Sequence, residues 1–227
     1  MSTKAQEPAP GCDTSEMLTI HRLMRRLFAD APGLVLGVAD GNLQRASVIA
    51  DHVEEIAAGL HLHHHTEDLL LWDVLEQRSP GCALHIGKMR AQHAVVSRLL
   101  AELSARVPRW RETAGSSERD VVAAILEDVG DALEAHLGQE ERDILPVAGE
   151  SMSQAEWDQL GKHGMSQIPR DRMLIQLGMM LQSMPAEERA GWLRTHVPPL
   201  GRLLYTLLGR RQFENHYRTV YGAAPAA

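Results

Sequence analysis

The chain has 227 residues, 44% of them hydrophobic but only 4% aromatic, and a net charge of −7. That is enough apolar material for a core in one or two domains, and basic residues scattered among acidic ones give no electrostatic footprint for nucleic acid. No stretch approaches the roughly 20 apolar residues of a membrane span, and Cys12 and Cys82 are too few for a disulfide framework.

Leu and Ala are abundant and no run of alternating β-branched residues occurs, so the expected class is all-α. The first residues, MSTKAQEPAPG, lack the apolar core of a signal peptide, which makes a cytoplasmic location the expectation. Residues 1–12 are rich in Pro, Ala and Gly and are expected to form a disordered tail.

Asp13, with Glu16 three residues on, reads as an N-cap and capping box. The helix behind it carries Met17, Met24 and Phe28 on its apolar face, and His21 shares that face. Asp30-Ala31-Pro32-Gly33 is expected to weaken or kink it.

A long second helix, residues 43–78, contains HLHHHTEDLLLWDVL. His63 and Glu67 stand four residues apart, so both project from one face toward a neighbouring helix, as a two-toothed metal clamp. A helix cannot turn His61, His63, His64 and His65 toward one point; His63 fits the clamp and His64, three residues before Glu67, is the nearest substitute. His52 lies on the same face as His63 but about 16 Å away at 1.5 Å per residue. It is therefore expected at the bundle end, in an access path, and not on the same metal.

A third helix, residues 83–111 with a bend expected at Pro108, carries His93 inward with Met89, Val96, Leu100 and Val107. The fourth, residues 118–147, repeats the clamp as His136 and Glu140 in HLGQEERDILPV. Behind each clamp Glu come an acidic residue (Asp68, Glu141), two further residues and an apolar pair, Leu71-Trp72 or Ile144-Leu145. Chance alone supplies about one His-x-x-x-Glu pair in such a chain, so the shared register carries the argument. Four helices on short connections pack as an up-down-up-down bundle over residues 13–148. Residues 149–227 read as a helical extension packing on that bundle, with VPPLGRLLYTLLG as a buried hairpin.

Imidazole and carboxylate together suit iron, manganese or zinc. Four His (21, 63, 93 and 136) and two Glu (67 and 140) are too many for one tetrahedral zinc, so two metals are inferred, with the carboxylates at the centre. Because imidazoles must be neutral to bind, metal should be lost as pH falls toward and below ~6.

One His, His-x-x-x-Glu, one His and His-x-x-x-Glu on successive helices resembles the hemerythrin-like, or HHE cation-binding, family. HHTEDLLLW and HLGQEERDILP are similar to its hallmark, and the likeness covers about residues 14–148. The resemblance implies a four-helix bundle holding two non-haem iron ions, oxo- or hydroxo-bridged, with His21, His63, Glu67, His93, His136 and Glu140 as ligands. It implies binding of, or reaction with, dioxygen, peroxide or nitric oxide in oxidative-stress protection or redox sensing, including peroxide consumption of a catalase or peroxidase kind. Oxygen-carrying relatives place a second histidine on helix three where this chain has Met89. The gap is either left open or filled from outside the motif, with His163 in GKHG as the candidate. The alternative function is an iron or zinc store or sensor that signals through its C-terminal helices to a protein partner or a second copy.

Overall fold

The computed structural model describes residues 11–225, which fold into helices with no strand among them. Of the expected disordered tail, residues 1–10 lie outside the described residues. Cys12, placed in that tail by its composition, is instead docked: its amide donates to the Gly149 carbonyl at 2.9 Å and its thiol to that of Ala148 at 3.4 Å.

Helix α1 (Ser15–Leu36) starts one residue later than the Asp13 cap implies, with Thr14 at the N-cap. The Asp13 amide donates to Gln154 Oε1 at 2.9 Å, so the reciprocal bond of a capping box has no donor. Glu16 pairs with His196. Pro32 sits inside the helix, which runs on to Leu36. Ala31 and Val35 are fully buried on either side of it, and that packing outweighs the one backbone bond the proline removes.

Asn42 caps α2 (Leu43–Leu70), its side chain accepting from the Arg45 amide. The expected continuous helix breaks at Leu71 and resumes as α3 (Trp72–Arg78). Helix α4 (Ala83–Thr113) passes through Pro108. Helix α5 (Ser116–Asp143) breaks at Ile144 before α6 (Leu145–Ser151). The two breaks are one device: Leu71 has φ −106° and ψ −53°, Ile144 has φ −110° and ψ −50°, and each lies four residues beyond its clamp glutamate.

The long helices form a ring of neighbours, α1 to α2, α2 to α4, α4 to α5 and α5 to α1. Their apolar residues divide into two clusters. One holds Met24, Leu60, Val96 and Leu133, and the other Met17, Leu71, Met89 and Ile144. On each helix the candidate ligands fall between a member of the first and a member of the second, so the polar layer is closed by apolar packing above and below.

The extension comprises α7 (Gln154–Gln167), α8 (Met173–Ser183), α9 (Ala186–His196), α10 (Pro199–Leu204), a π-helical turn (Tyr205–Gly209) and α11 (Arg210–Tyr221). Helix α7 packs on α2, α8 on α1 and α11, and α11 also on α2. Arg172 forks onto Glu55, and Tyr221 donates its hydroxyl to Asp30 at 3.1 Å. VPPLGRLLYTLLG is not the buried hairpin its composition suggests. Leu200, Leu203, Leu204, Leu207 and Leu208 are exposed, because Tyr205 and Gly209 occupy the inward phase. No helix of the described residues is long and apolar enough to cross a membrane.

At Gly178 α8 meets α11 so closely that an added Cβ would lie 2.4 Å from Phe213 Cγ. Gly178→Ala is expected to destabilise the chain by about 1–3 kcal/mol despite its better helix propensity. A denaturant titration checks this, and an unchanged or raised midpoint would contradict the close fit.

Candidate metal centre

Residues 61–67, HLHHHTE, span about two helical turns, and their side chains part company according to phase. His61 and His65 face outward and stack on each other with ring centroids 6.2 Å apart. His63 and His64 both reach the interior, flanking Glu67: the His63 side chain is 8% exposed and His64 is 3%. His21, His93, His136, Glu67 and Glu140 are all buried at the same level.

Two groups of four result. His21, His63, Glu67 and Glu140 bring ligand atoms within 4.8 Å of one another, and so do His64, Glu67, His93 and His136. Glu67 belongs to both. Its Oε1 is 3.2 Å from His63 Nε2 and its Oε2 is 3.4 Å from His93 Nε2. Glu140 Oε2 stands 3.5 Å from both His21 Nε2 and His136 Nε2. The His64 ring lies flat on His93, with centroids 4.0 Å apart.

Few of these contacts are hydrogen bonds. His21 Nε2, His63 Nε2, both ring nitrogens of His64 and all four oxygens of Glu67 and Glu140 are buried without a hydrogen-bond partner. Buried polar atoms are ordinarily satisfied, and so many unsatisfied together cost far more than one stray atom. Their atoms are those a cation would coordinate, and the donor set of imidazoles and carboxylates fits a transition metal at each group.

Outer hydrogen bonds fix which nitrogens point inward. The His21 Nδ1–H donates to Glu141 Oε1 at 2.9 Å, the His93 Nδ1–H to Asp68 Oδ1 at 2.8 Å and the His136 Nδ1–H to Gln92 Oε1 at 3.3 Å. Each Nε2 is thereby turned to the centre, the arrangement that orients metal-ligating histidines. The acidic residue behind each clamp glutamate thus serves the histidine of a neighbouring helix, Asp68 on α2 for His93 on α4 and Glu141 on α5 for His21 on α1. Trp72 Nε1–H donates to Asp68 at 2.7 Å and Arg25 to Glu141 at 2.6 Å. The bond from His21, then Arg25, lowers the Glu141 carboxyl to about 2.

Replacing Asp68 or Glu141 by Ala is expected to weaken metal binding about 10- to 100-fold with every ligand still present. Competition against a chelator of known affinity measures it, and unchanged affinity in both variants would remove the orienting role.

Burial sets the protonation of the metal-free centre. It raises Glu140 to about 8, helped by the Glu67 charge, and pushes Glu67 well above the usual carboxylate range, with Asp68 adding to it. Burial lowers His136 to about 3 and holds His63 and His64 far below the ordinary imidazole value, each assisted by neighbouring histidines. His136 is therefore neutral well below pH 6, and Glu140 holds a proton near neutrality that competes with metal. A pH dependence set by Glu140 is thereby added to the one expected from histidine.

Among models of known families, that of the hemerythrin HHE cation-binding domain matches residues 12–148. The chain belongs to this family. No curated protein and no solved structure matches it. The hemerythrin match ends within α6, leaving α7 to α11 outside it.

Within this hemerythrin domain His21, His63, Glu67, His93, His136 and Glu140 converge as the spacing of the chain implies. His64 joins them in addition to His63, not in its place. The signal was present in the adjacent pair, three and four residues before one glutamate, which lets each histidine take one side of it. Met89, at the helix-three gap, is fully buried in the apolar cluster that also holds Trp72. His163 does not fill that gap. It lies half-buried on α7 with its ring 6.4 Å from that of outward-facing His65, because α7 docks on the outer side of α2.

Proposed function

We propose that the chain is a non-haem di-iron protein that binds or reacts with dioxygen, peroxide or nitric oxide, built on an up-down-up-down four-helix bundle. The observation that carries this reading is the pair of four-residue ligand groups sharing Glu67, most of whose inward atoms lack any other partner. His21, His63, Glu67 and Glu140 would hold one ion and His64, Glu67, His93 and His136 the other. With iron bound, such a centre supplies one- and two-electron redox chemistry toward small oxidants. Four side chains per ion leave exchangeable positions for an external ligand.

The remaining residues prepare and shield the site. Asp68, Glu141 and Gln92 orient three of the imidazoles, and the cluster of Leu71, Trp72, Met89 and Ile144 excludes water from one side. Met89 offers a thioether, a poor ligand in a nitrogen- and oxygen-rich site, and so favours reactivity over saturation of the metal.

Elemental analysis of untagged protein, with an ultraviolet-visible spectrum before and after peroxide, tests the proposal. The expected result is two irons per chain and charge-transfer bands that change on adding peroxide. One zinc, or no metal above background, would overturn it.

A second reading, a metal store or sensor, is favoured by the five exposed leucines from Leu200 to Leu208, an apolar face suited to a protein partner or a second copy. In this case metal-loaded and metal-free chains should differ in sedimentation behaviour, and identical profiles would count against it.

A further inference from the structure

Away from the bundle centre, a third group of metal-ligating side chains stands where the extension meets the bundle. His52 and Glu55, three residues apart on α2, share a face. His216 on α11 comes to meet them, and one ligand atom from each lies within 4.8 Å of the others. His52 is 2% exposed, yet neither of its ring nitrogens has a hydrogen-bond partner, and His216 Nε2 is buried and unpartnered as well. A histidine that merely fills a core ordinarily donates one ring N–H to a carbonyl or carboxylate. This one does not.

The two rings are not stacked for packing either, their centroids being 6.1 Å apart and tilted by 56°. A cavity of about 20 Å³ adjoins them, lined also by Arg26, Tyr217 and Tyr221. That is room for about one water-sized ligand.

We propose that His52, Glu55 and His216 form a separate, mononuclear site for a divalent transition metal of the zinc class. Two imidazoles and a carboxylate with an open fourth position is a zinc-type donor set. The Glu55 carboxylate is already oriented: Arg172 donates through Nε to Oε1 at 2.9 Å and through Nη2 to Oε2 at 2.5 Å, and Gln176 donates to Oε1 at 3.4 Å. Each carboxylate oxygen has further lone-pair capacity for a cation. The guanidinium charge opposes that cation, so this site fills after the bundle centre.

His52 stands eleven residues, about 16 Å along α2, from His63, which keeps the two centres apart. His216 lies beyond the residues matched by the hemerythrin domain, so the site exists only in the chain that carries the extension. A metal held here ties α11 to α2.

The test uses untagged full-length chain, stripped with a chelator and reloaded with Zn²⁺ alone, with zinc counted per chain and hydrogen exchange followed in α11. Wild type is expected to bind one zinc more than His216→Ala, and zinc should slow exchange in α11 about tenfold or more in wild type only. Glu67→Gln, which disables the bundle centre, should retain the junction zinc and its effect on α11. Should His216→Ala lose its helical circular dichroism, His52→Asn decides on the same readings. Equal zinc in wild type and the junction variant, or exchange in α11 indifferent to zinc, would overturn the site. Because the two variants remove different ions, failure of the bundle centre is distinguishable from failure here.

Discussion

Glu67→Gln is expected to lower iron content from about two ions per chain to below about 0.2, because the lost oxygen anion is the one ligand common to both groups. Gln keeps the volume of the neutral acid and adds no cavity, so a loss of metal reflects lost coordination and not a lost fold. His64→Ala separates the groups: it removes a ligand from only one of them, and about one iron per chain should remain. His163→Ala serves as the control and should leave both ions in place, since its ring neighbours His65 outside the centre. Elemental analysis of untagged variants reads all three. Full occupancy in Glu67→Gln would mean that Glu67 does not bridge, and an empty centre in His64→Ala would mean that the two ions bind only as a pair.

The centre is legible in the sequence to the extent that one helical period specifies it. His21, Met17 and Met24 share a face by phase alone, and so do His93 and Met89, which is why the four helices could be aligned before any packing was known. Phase alone aims a helix at one target and so does not place His64 beside His63. Two adjacent targets let neighbouring residues of one helix both reach the interior, which a single face does not express. Packing decided the rest. Pro32 stays helical because Ala31 and Val35 are held on both sides, and a proline rule contains no information about that. Composition suggests burial for the leucines from Leu200 to Leu208, but the bulk of Tyr205 and the close approach at Gly209 show which phase faces inward. The position of His163 depends on where α7 docks, and the partner of His52 comes from 164 residues further along the chain. Neither fact is local, so neither is written in a window of sequence.

Metal uptake at pH 7 is expected to release about one proton or more, and apparent affinity should keep climbing, roughly tenfold per pH unit per proton, as pH rises from 6 to 8. The sign follows from the metal-free centre. With Glu140 raised to about 8, its carboxyl carries a proton at pH 7 that the cation must displace, and Glu67 is raised in the same direction. His136, lowered to about 3, is neutral throughout that range and adds no slope. Were ordinary histidines in control, affinity would level off above about 6.5. The same shifts govern the stability of the metal-free chain. Glu140 has a folded value above its unfolded one, so its share of stability is complete below about 4.5 and is lost as pH rises through 8. His136 has a folded value below its unfolded one, so its share is complete above about 6.5 and is lost as pH falls toward 3. The metal-free protein should therefore weaken at both extremes, while bound metal, which needs ionised carboxylates and neutral imidazoles, offsets the alkaline loss and deepens the acid one by being released. Calorimetric titration in two buffers of different ionisation enthalpy counts the protons. A count of zero at pH 7 would mean that the carboxylates are already ionised in the empty centre, and that the unsatisfied oxygens of Glu67 and Glu140 are held by something other than their own protons.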